Sequence, residues 1–410
     1  MVLDLVEREG AKNIMKKYDI VLILDFFRTL TYYLSIIKYL SRDYTIGLFP
    51  VDIGYGQLEK NGKVQEMFVQ TCVDFGAELV KKNKPVQAKV LLIPQRPYLK
   101  SAMDDIRKNI HATRTVGVLA FSWAEIPKYD AFIDEFAISK LFVIDRHFID
   151  FQLENRVDNP EARSTYDGCE MVEIGLPYNK YPIFPSIEAD YLFAMPTPFS
   201  FAHEKDKWDF LGTVAALFTK MENGDRVIHK PHNAMERDQF SNSAYRSLIW
   251  ILNCIPGIFS VIRGFASISP KKLKIHFERL YTAYLYEKVI KRTIPLEKLT
   301  HYHSFAMEAF LPGVKKGVIG GLSNTIWGTL FSKIPFYNCV DIHLQDRGAE
   351  DRLYGKKKVE QVLELNLKYF FVPYCEGNLA FDKKYFEIVN EKTRQSDLIA
   401  ELKKEIKHDN

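Results

Sequence analysis

Two stretches of this chain carry side chains suited to handling phosphate. The first is "VIHKPHNAMERDQF" (Val227–Phe240), where His229, Lys230 and His232 fall within four residues. Lysine supplies a point charge. Histidine either binds an anion as a charged donor or gives a proton to a departing oxygen. Together they can neutralise a mono- or diphosphate leaving group. The second is "KKGVIGGLSNTIWGTLFSKIPFYN" (Lys315–Asn338), in which a short apolar run ends at Gly320-Gly321 and Ser323-Asn324-Thr325 open a helix-periodic stretch. Free backbone N–H groups and the macrodipole favour an anion at a helix start. Glycines allow close backbone approach. Capping alone needs one hydroxyl or amide residue; three of them behind two glycines point to a bound phosphate.

Metal does not enter this picture. The His-x-x-His of His229 and His232 lacks a third zinc ligand nearby, and no Asp-x-Asp pair is placed to hold Mg²⁺ against a diphosphate. Cations and a helix terminus can replace the metal, so the expected site has no metal and no bound cofactor.

The elements that must position these residues follow from apolar periodicity. In the first half, apolar runs predict strands at 18–25, 44–49, 88–94, 115–121, 140–145 and 170–177. Helix-spaced segments separate them, including one over 64–82. Such alternation implies parallel pairing through right-handed crossovers. The proline- and aromatic-rich segment 177–190 lacks helical period and is expected to be a linker. The pattern then restarts with strands at 190–196 and 225–231, at "KGVIGG" and at "IPFYNCV". The fold class expected is therefore α/β, with two Rossmann-like doubly wound domains facing a cleft. They cover 1–180 and 181–390, with a helical insertion over 240–300 and a charged C-terminal helix over 391–410. In such sheets ligands bind beyond the carboxyl ends of strands.

Composition narrows the class. The chain has 410 residues, a formal net charge of +4 and ordinary globular proportions. That charge does not suggest nucleic acid. Five scattered cysteines, with no CxxC, read as reduced thiols in a cytoplasmic compartment. The start "MVLDLVEREG" is acidic and weakly apolar, unlike a signal peptide.

One stretch stands out. Ser247–Ile262 runs sixteen residues without charge, between Arg246 and Arg263, and Pro256-Gly257 interrupts it. It is shorter than the ~18–20 residues that span a bilayer. The simpler reading is a buried helical hairpin. The other is a segment dipping into a membrane surface. The following 271–298, where basic residues outnumber acidic ones among Phe, Tyr and Leu, reads as a basic amphipathic helix and keeps that second reading. Association with the inner-membrane face through 247–298 is the corresponding expectation.

The order strand, "KPHN", helix, "GGLSNT", helix, "SKIPFY" resembles the nucleotide-binding half of GT-B glycosyltransferases that build bacterial surface polysaccharides. It is similar in particular to the CMP-sugar-dependent sialyltransferases and Kdo transferases, and the layout also looks like the CDP-glycerol-using wall teichoic acid polymerases. The resemblance covers roughly 190–346, with Asn233 where the family has proline and Asn324 where a second serine is common. It implies that His232 contacts the donor phosphate and assists its departure. Ser323, with the backbone around Asn324 and Thr325, holds the same phosphate, and Glu308 is a candidate for the donor ribose hydroxyls that reads equally as an exposed helix glutamate. It also implies a carboxylate from the first domain. Asp145 in "KLFVIDRHF", Glu125 in "AFSWAEIP" and Asp167 in "TYDGCE" are the candidates. Each also reads as a loop acid bonding backbone N–H groups, and Asp167 follows no strand. One taking the acceptor proton would serve an inverting transfer; one attacking the anomeric carbon would serve a retaining transfer. Arg28 reads as a helix-face ion pair before it reads as an acceptor contact.

The expected function is transfer of a sugar from a nucleotide-activated donor, CMP-linked by preference, to a glycan or lipid-linked acceptor. A polyol-phosphate transferase using CDP-glycerol and a non-catalytic nucleotide or glycan binder are the alternatives.

Overall fold

The apolar runs become strands because each is covered on both faces. In β1 (Lys16–Leu24), Ile20, Val21, Leu22 and Ile23 are all fully buried, which a half-exposed alternating strand would not allow. The computed structural model describes residues 15–24, 27–51, 69–94, 100–118, 130–143, 168–175, 177–183, 188–194, 213–214, 217, 221–222, 224–230, 248, 251–252, 254–268, 293–294, 307–320, 329, 332, 334–339 and 396–408. Two units divide the chain: Met1–Ile183 with Arg394–Asn410, and Phe184–Thr393.

In the first unit, β1 leads through α1 (Phe27–Leu40) to β2 (Ile46–Pro50) and the edge strand β3 (Glu78–Leu79). The chain then returns past β1 to β4 (Val86–Pro94), α2 (Lys100–Asn109), β5 (Ile110–Val118), α3 (Asp130–Glu135), β6 (Lys140–Val143) and β7 (Glu170–Glu173). The sheet order is β3-β2-β1-β4-β5-β6-β7, and every pairing is parallel. Direction reverses between β1 and β4, which makes that pair the topological switch point.

Some boundaries differ from those the apolar runs predict, for visible reasons. The helix expected over 64–82 stops early because Gly76, at φ +106°, caps it. The Ala77 N–H bonds the Cys72 carbonyl and the Gly76 N–H bonds that of Val73, a Schellman ending that frees Glu78–Leu79 to pair with β2. Strand β5 begins at Ile110 rather than 115. Its first half, "IHATR", is largely polar but still registers residue for residue against β4. The segment expected to be an irregular linker opens with α4 (Pro177–Lys180). The carbonyls of Tyr181, Pro182 and Ile183 then accept from Ser35, Lys38 and Tyr39 of α1.

The charged tail is not a separate appendage. Helix α6 (Leu398–Lys407) belongs to the first unit and buries Leu398, Ile399, Leu402 and Ile406. Asp397 caps it, accepting from the N–H groups of Ile399 and Ala400, and also accepts from the Tyr181 hydroxyl and from Lys180. Glu405, 5% exposed, accepts from Lys140 Nζ at 2.6 Å and from Arg114 at 3.1 Å. Burial pushes this carboxyl up, but Lys140 and then Arg114 outweigh burial and hold it below the usual glutamate range.

In the second unit, β8 (Ala189–Ala194) is followed by β9 (Val227–Lys230), α5 (Ile258–Ile268), β10 (Thr293–Ile294), a 3₁₀ turn (Met307–Gly313), β11 (Val314–Gly320) and β12 (Phe336–Asn338). The order is β10-β9-β8-β11-β12, again parallel throughout. Residues 293–294, expected within a basic helix, are a sheet strand beside β9. Within the insertion expected over 240–300, these two residues are therefore strand rather than helix.

A carboxyl depressed in the folded state contributes stability that is full above its unfolded pKa and lost as pH falls through the folded value. The first unit should thus lose stability as pH drops below about 4.3, the unfolded glutamate value. Glu405→Gln should cost about 2 kcal/mol at pH 7 and flatten that acid dependence. This is below the range for a fully buried pair, since Arg114 is 40% exposed. Urea unfolding at neutral and acid pH checks both; an unchanged midpoint in the variant would remove the ion pair from the account.

Candidate functional site

Parallel pairing places the carboxyl ends of all five second-unit strands on one edge, and register sets which residues stand level there. Lys230 pairs with Ala194, Ala194 with Gly320, and Gly320 with Asn338. These residues form a single row across β9, β8, β11 and β12. Behind them stands the row His229, Phe193, Ile319, Tyr337. Lys230 and Gly320 are two strand spacings apart, about 10 Å. The reversal of strand order falls between β8 and β11, so Gly320 stands at the switch point where such sheets take ligands.

The row depends on a bulge. Val314 pairs with Ala189 but Gly317 with Tyr191, so β11 carries one extra residue before Gly317. Without it, Ile319 rather than Gly320 would stand level with Ala194. The bulged lysines are both anchored: Lys315 to Glu188 at 2.6 Å, and Lys316 to Glu222 and Asp225, each at 2.7 Å. Gly317 then lets the Tyr337 ring lie across the strand. A Cβ there would stand 2.4 Å from that ring and 3.0 Å from the Pro335 carbonyl oxygen. The rings of Tyr191 and Tyr337 sit 6.2 Å apart and cover the gap the glycine leaves.

Of the residues singled out from sequence, His229, Lys230 and Gly320 are brought onto this edge. For the first two, the backbone alone is described. His232 comes two residues after the end of β9 and Ser323 three after the end of β11. His232, Gly321, Ser323, Asn324 and Thr325 lie outside the described residues. Thr329 and Ser332, further along, are helical. Glu308 is in the 3₁₀ turn on the amino side of β11, away from the row. Asp145, Glu125 and Asp167 also lie outside the described residues. In the chain, Asp145 and Glu125 follow the ends of β6 and β5, whereas Asp167 precedes β7. The buried thiols look structural: burial raises Cys72, and burial followed by Glu170 pushes Cys169 up to about 11.

Sequence periodicity missed strand β10, and with it the place of Glu297 in the chain. Glu297 follows three residues after the end of β10, on the carboxyl side. Its signal was the β-branched pair Thr293-Ile294 before Pro295, hidden inside a run rich in basic residues. The stretch "MPTPFSFAHEK" follows the end of β8 in the chain and lies outside the described residues.

No protein-family model matches the chain, and no curated protein matches it in sequence. Solved structures similar to it include UDP-GlcNAc 2-epimerase from Methanocaldococcus jannaschii in complex with UDP-GlcNAc and UDP, at 10% identity and TM-score 0.36, covering 92% of this chain and 99% of that one. A second structure of that enzyme has 12% identity and TM-score 0.37, with 92% and 99% covered. S. aureus MnaA with UDP has 9% identity and TM-score 0.38, with 94% of each covered. Scores this low fall short of a common superposition, and the bound nucleotides are facts about those proteins.

Gly317→Ala should destabilise the second unit by about 2 kcal/mol, the usual scale of overpacking. Adding Tyr337→Ala should recover part of the loss. Thermal unfolding of the single and double variants checks this; equal melting of Gly317→Ala and wild type would mean that the ring moves aside freely.

Proposed function

We propose that this protein is a glycosyltransferase that moves a sugar from a nucleotide-activated donor, CMP-linked by preference, to a glycan or lipid-linked acceptor of a bacterial surface polysaccharide. One observation carries the reading. The row Lys230–Ala194–Gly320–Asn338 sends the chain into "PHN" from one strand and "GLSNT" from another, at one sheet edge. Two strand spacings, about 10 Å, are a span that two side chains reaching inward from either side can close on one phosphate.

In this mechanism Lys230 supplies fixed positive charge. His232 donates a proton to the departing phosphate oxygen. Ser323 and the N–H groups at the following helix start hold the phosphate as its charge develops. A carboxylate accepting two vicinal hydroxyls would fix the ribose, and Glu297, past the carboxyl end of β10, suits that role better than Glu308 does. The acceptor is activated by a first-unit carboxylate, with Asp145 and then Glu125 preferred over Asp167 by their place after strand ends. Cationic side chains and the helix start do the work of a metal, so transfer should proceed unchanged in EDTA.

The test begins with thermal shift against CMP, CDP and UDP, since a ligand at 100 Kd adds about 2.7 kcal/mol of stability. CMP should give the largest shift; a clear win for UDP or a nicotinamide nucleotide would refute the CMP preference. Turnover of CMP-, CDP- and UDP-linked donors follows. Release of CMP with transfer of glycerol phosphate would assign the polyol-phosphate reaction instead. Binding with no turnover of any donor would leave a nucleotide-binding protein.

His232→Ala should lower turnover by about 10²-fold or more, the scale of general acid help, with the melting temperature kept. Wild-type rates would remove His232 from the mechanism. Glu297→Ala should weaken CMP binding by about tenfold or more, the loss of its charged hydrogen bonds to the ribose, and Glu308→Ala should not. The reverse result would return the ribose role to Glu308.

A further inference from the structure

The uncharged stretch is not a buried hairpin. Leu248, Ile251, Ile255, Val261 and Phe265 are 40%, 53%, 49%, 50% and 54% exposed. Among the described residues only Val73 and Leu79 join them as exposed large apolar side chains, so exposed apolar surface is concentrated here. On α5, Val261 and Phe265 are four residues apart and share a face, while Ile262 turns inward at 7% exposure. The tip is a tight turn. The Ile258 N–H bonds the Ile255 carbonyl, Pro256 takes the second position, and Gly257, at φ +74°, takes the third, as a type II turn requires. A Cβ on Gly257 would meet nothing within 4 Å, so the turn has open space beside it.

We propose that this hairpin, Leu248–Phe265, seats in the surface of an anionic lipid bilayer. Charge selects that occupant. Arg246 and Arg263 bracket the apolar run, and Lys271–Lys298 holds eight Lys or Arg against three Glu. A second copy docking here would bring two such basic segments together, and like charges disfavour that. An anionic surface attracts them while apolar side chains enter the boundary between headgroups and acyl chains. Shallow seating also fits the length: no helix among the described residues is long and apolar enough to cross a membrane. None of these residues is assigned to the proposed donor site, so membrane binding and donor turnover are tested independently.

The experiment is flotation of the full chain with vesicles of phosphatidylglycerol mixed with phosphatidylcholine, and with phosphatidylcholine alone. Wild type should float with the anionic vesicles, and binding should weaken as salt is raised. The triple variant Ile251→Glu/Ile255→Glu/Val261→Glu should lose about tenfold or more of that binding, with unchanged melting. A fluorophore on Cys254, the exposed thiol at the tip, in a Cys375→Ser background, should shift its emission to the blue on anionic vesicles. That readout does not depend on how the triple variant folds. The proposal is overturned if wild type stays with the soluble fraction, if the triple variant still floats, or if the fluorophore is unmoved. It is equally overturned if light scattering finds a wild-type dimer that the triple variant dissolves, since the occupant would then be a second copy.

Discussion

Everything proposed for the donor site of the second unit depends on main-chain pairing of β8 with β9 on one side and β11 on the other. β8 carries little chemistry of its own. It acts as the ruler that sets Lys230 and Gly320 level with Ala194. In a parallel sheet a one-residue slip would move every side chain of the slipped strand to the opposite face. It would also shift where each loop leaves the edge. The extra residue in β11 is therefore decisive: it brings a glycine, rather than Ile319, to the switch point. The ion pairs of Lys315 and Lys316 hold the bulge in place, and Gly317 with the two tyrosines fills the space beside it.

The first unit shows a comparable economy where the chain leaves and re-enters it. The chain leaves it after Ile183 and returns at Arg394, and the two crossings are tied together. Tyr181 donates to Asp397, the residue that caps α6, while Glu405 at the other end of the helix binds Lys140 and Arg114. Partial burial raises the Asp397 carboxyl, but Lys180, Tyr181 and the Ala400 N–H outweigh it and leave it low. A helix with half its residues charged thus becomes part of a folded core, because its few apolar positions share a face and its acids find cations.

The hairpin of residues 248–265 obeys the opposite rule. Among its described residues Ile262 is buried, but Leu248, Ile251, Ile255, Val261 and Phe265 are exposed. Burial of such surface is favourable wherever water can be displaced, and a patch of this kind marks a place where something else does the displacing. The basic residues that follow in the chain decide in favour of a lipid surface over a second copy.

Sequence by itself determined the class of the fold. Continuous apolar runs such as "IVLIL", separated by helix-spaced segments, read as doubly covered parallel strands, and all ten predicted strands are found, with β5 alone starting well before its expected place. It also singled out "HKPH" and "GGLSNT" as candidates, because both follow expected strands and carry cations or hydroxyls. Short, polar or basic elements were beyond its reach. Glu78–Leu79 and Thr293–Ile294 are too brief to show a period, and both exist only because a neighbouring strand offers main-chain partners. Tertiary structure alone decided strand order and register, and whether the uncharged hairpin was core or surface. Those depend on which distant segments pair and what covers them, and local periodicity carries no information about either.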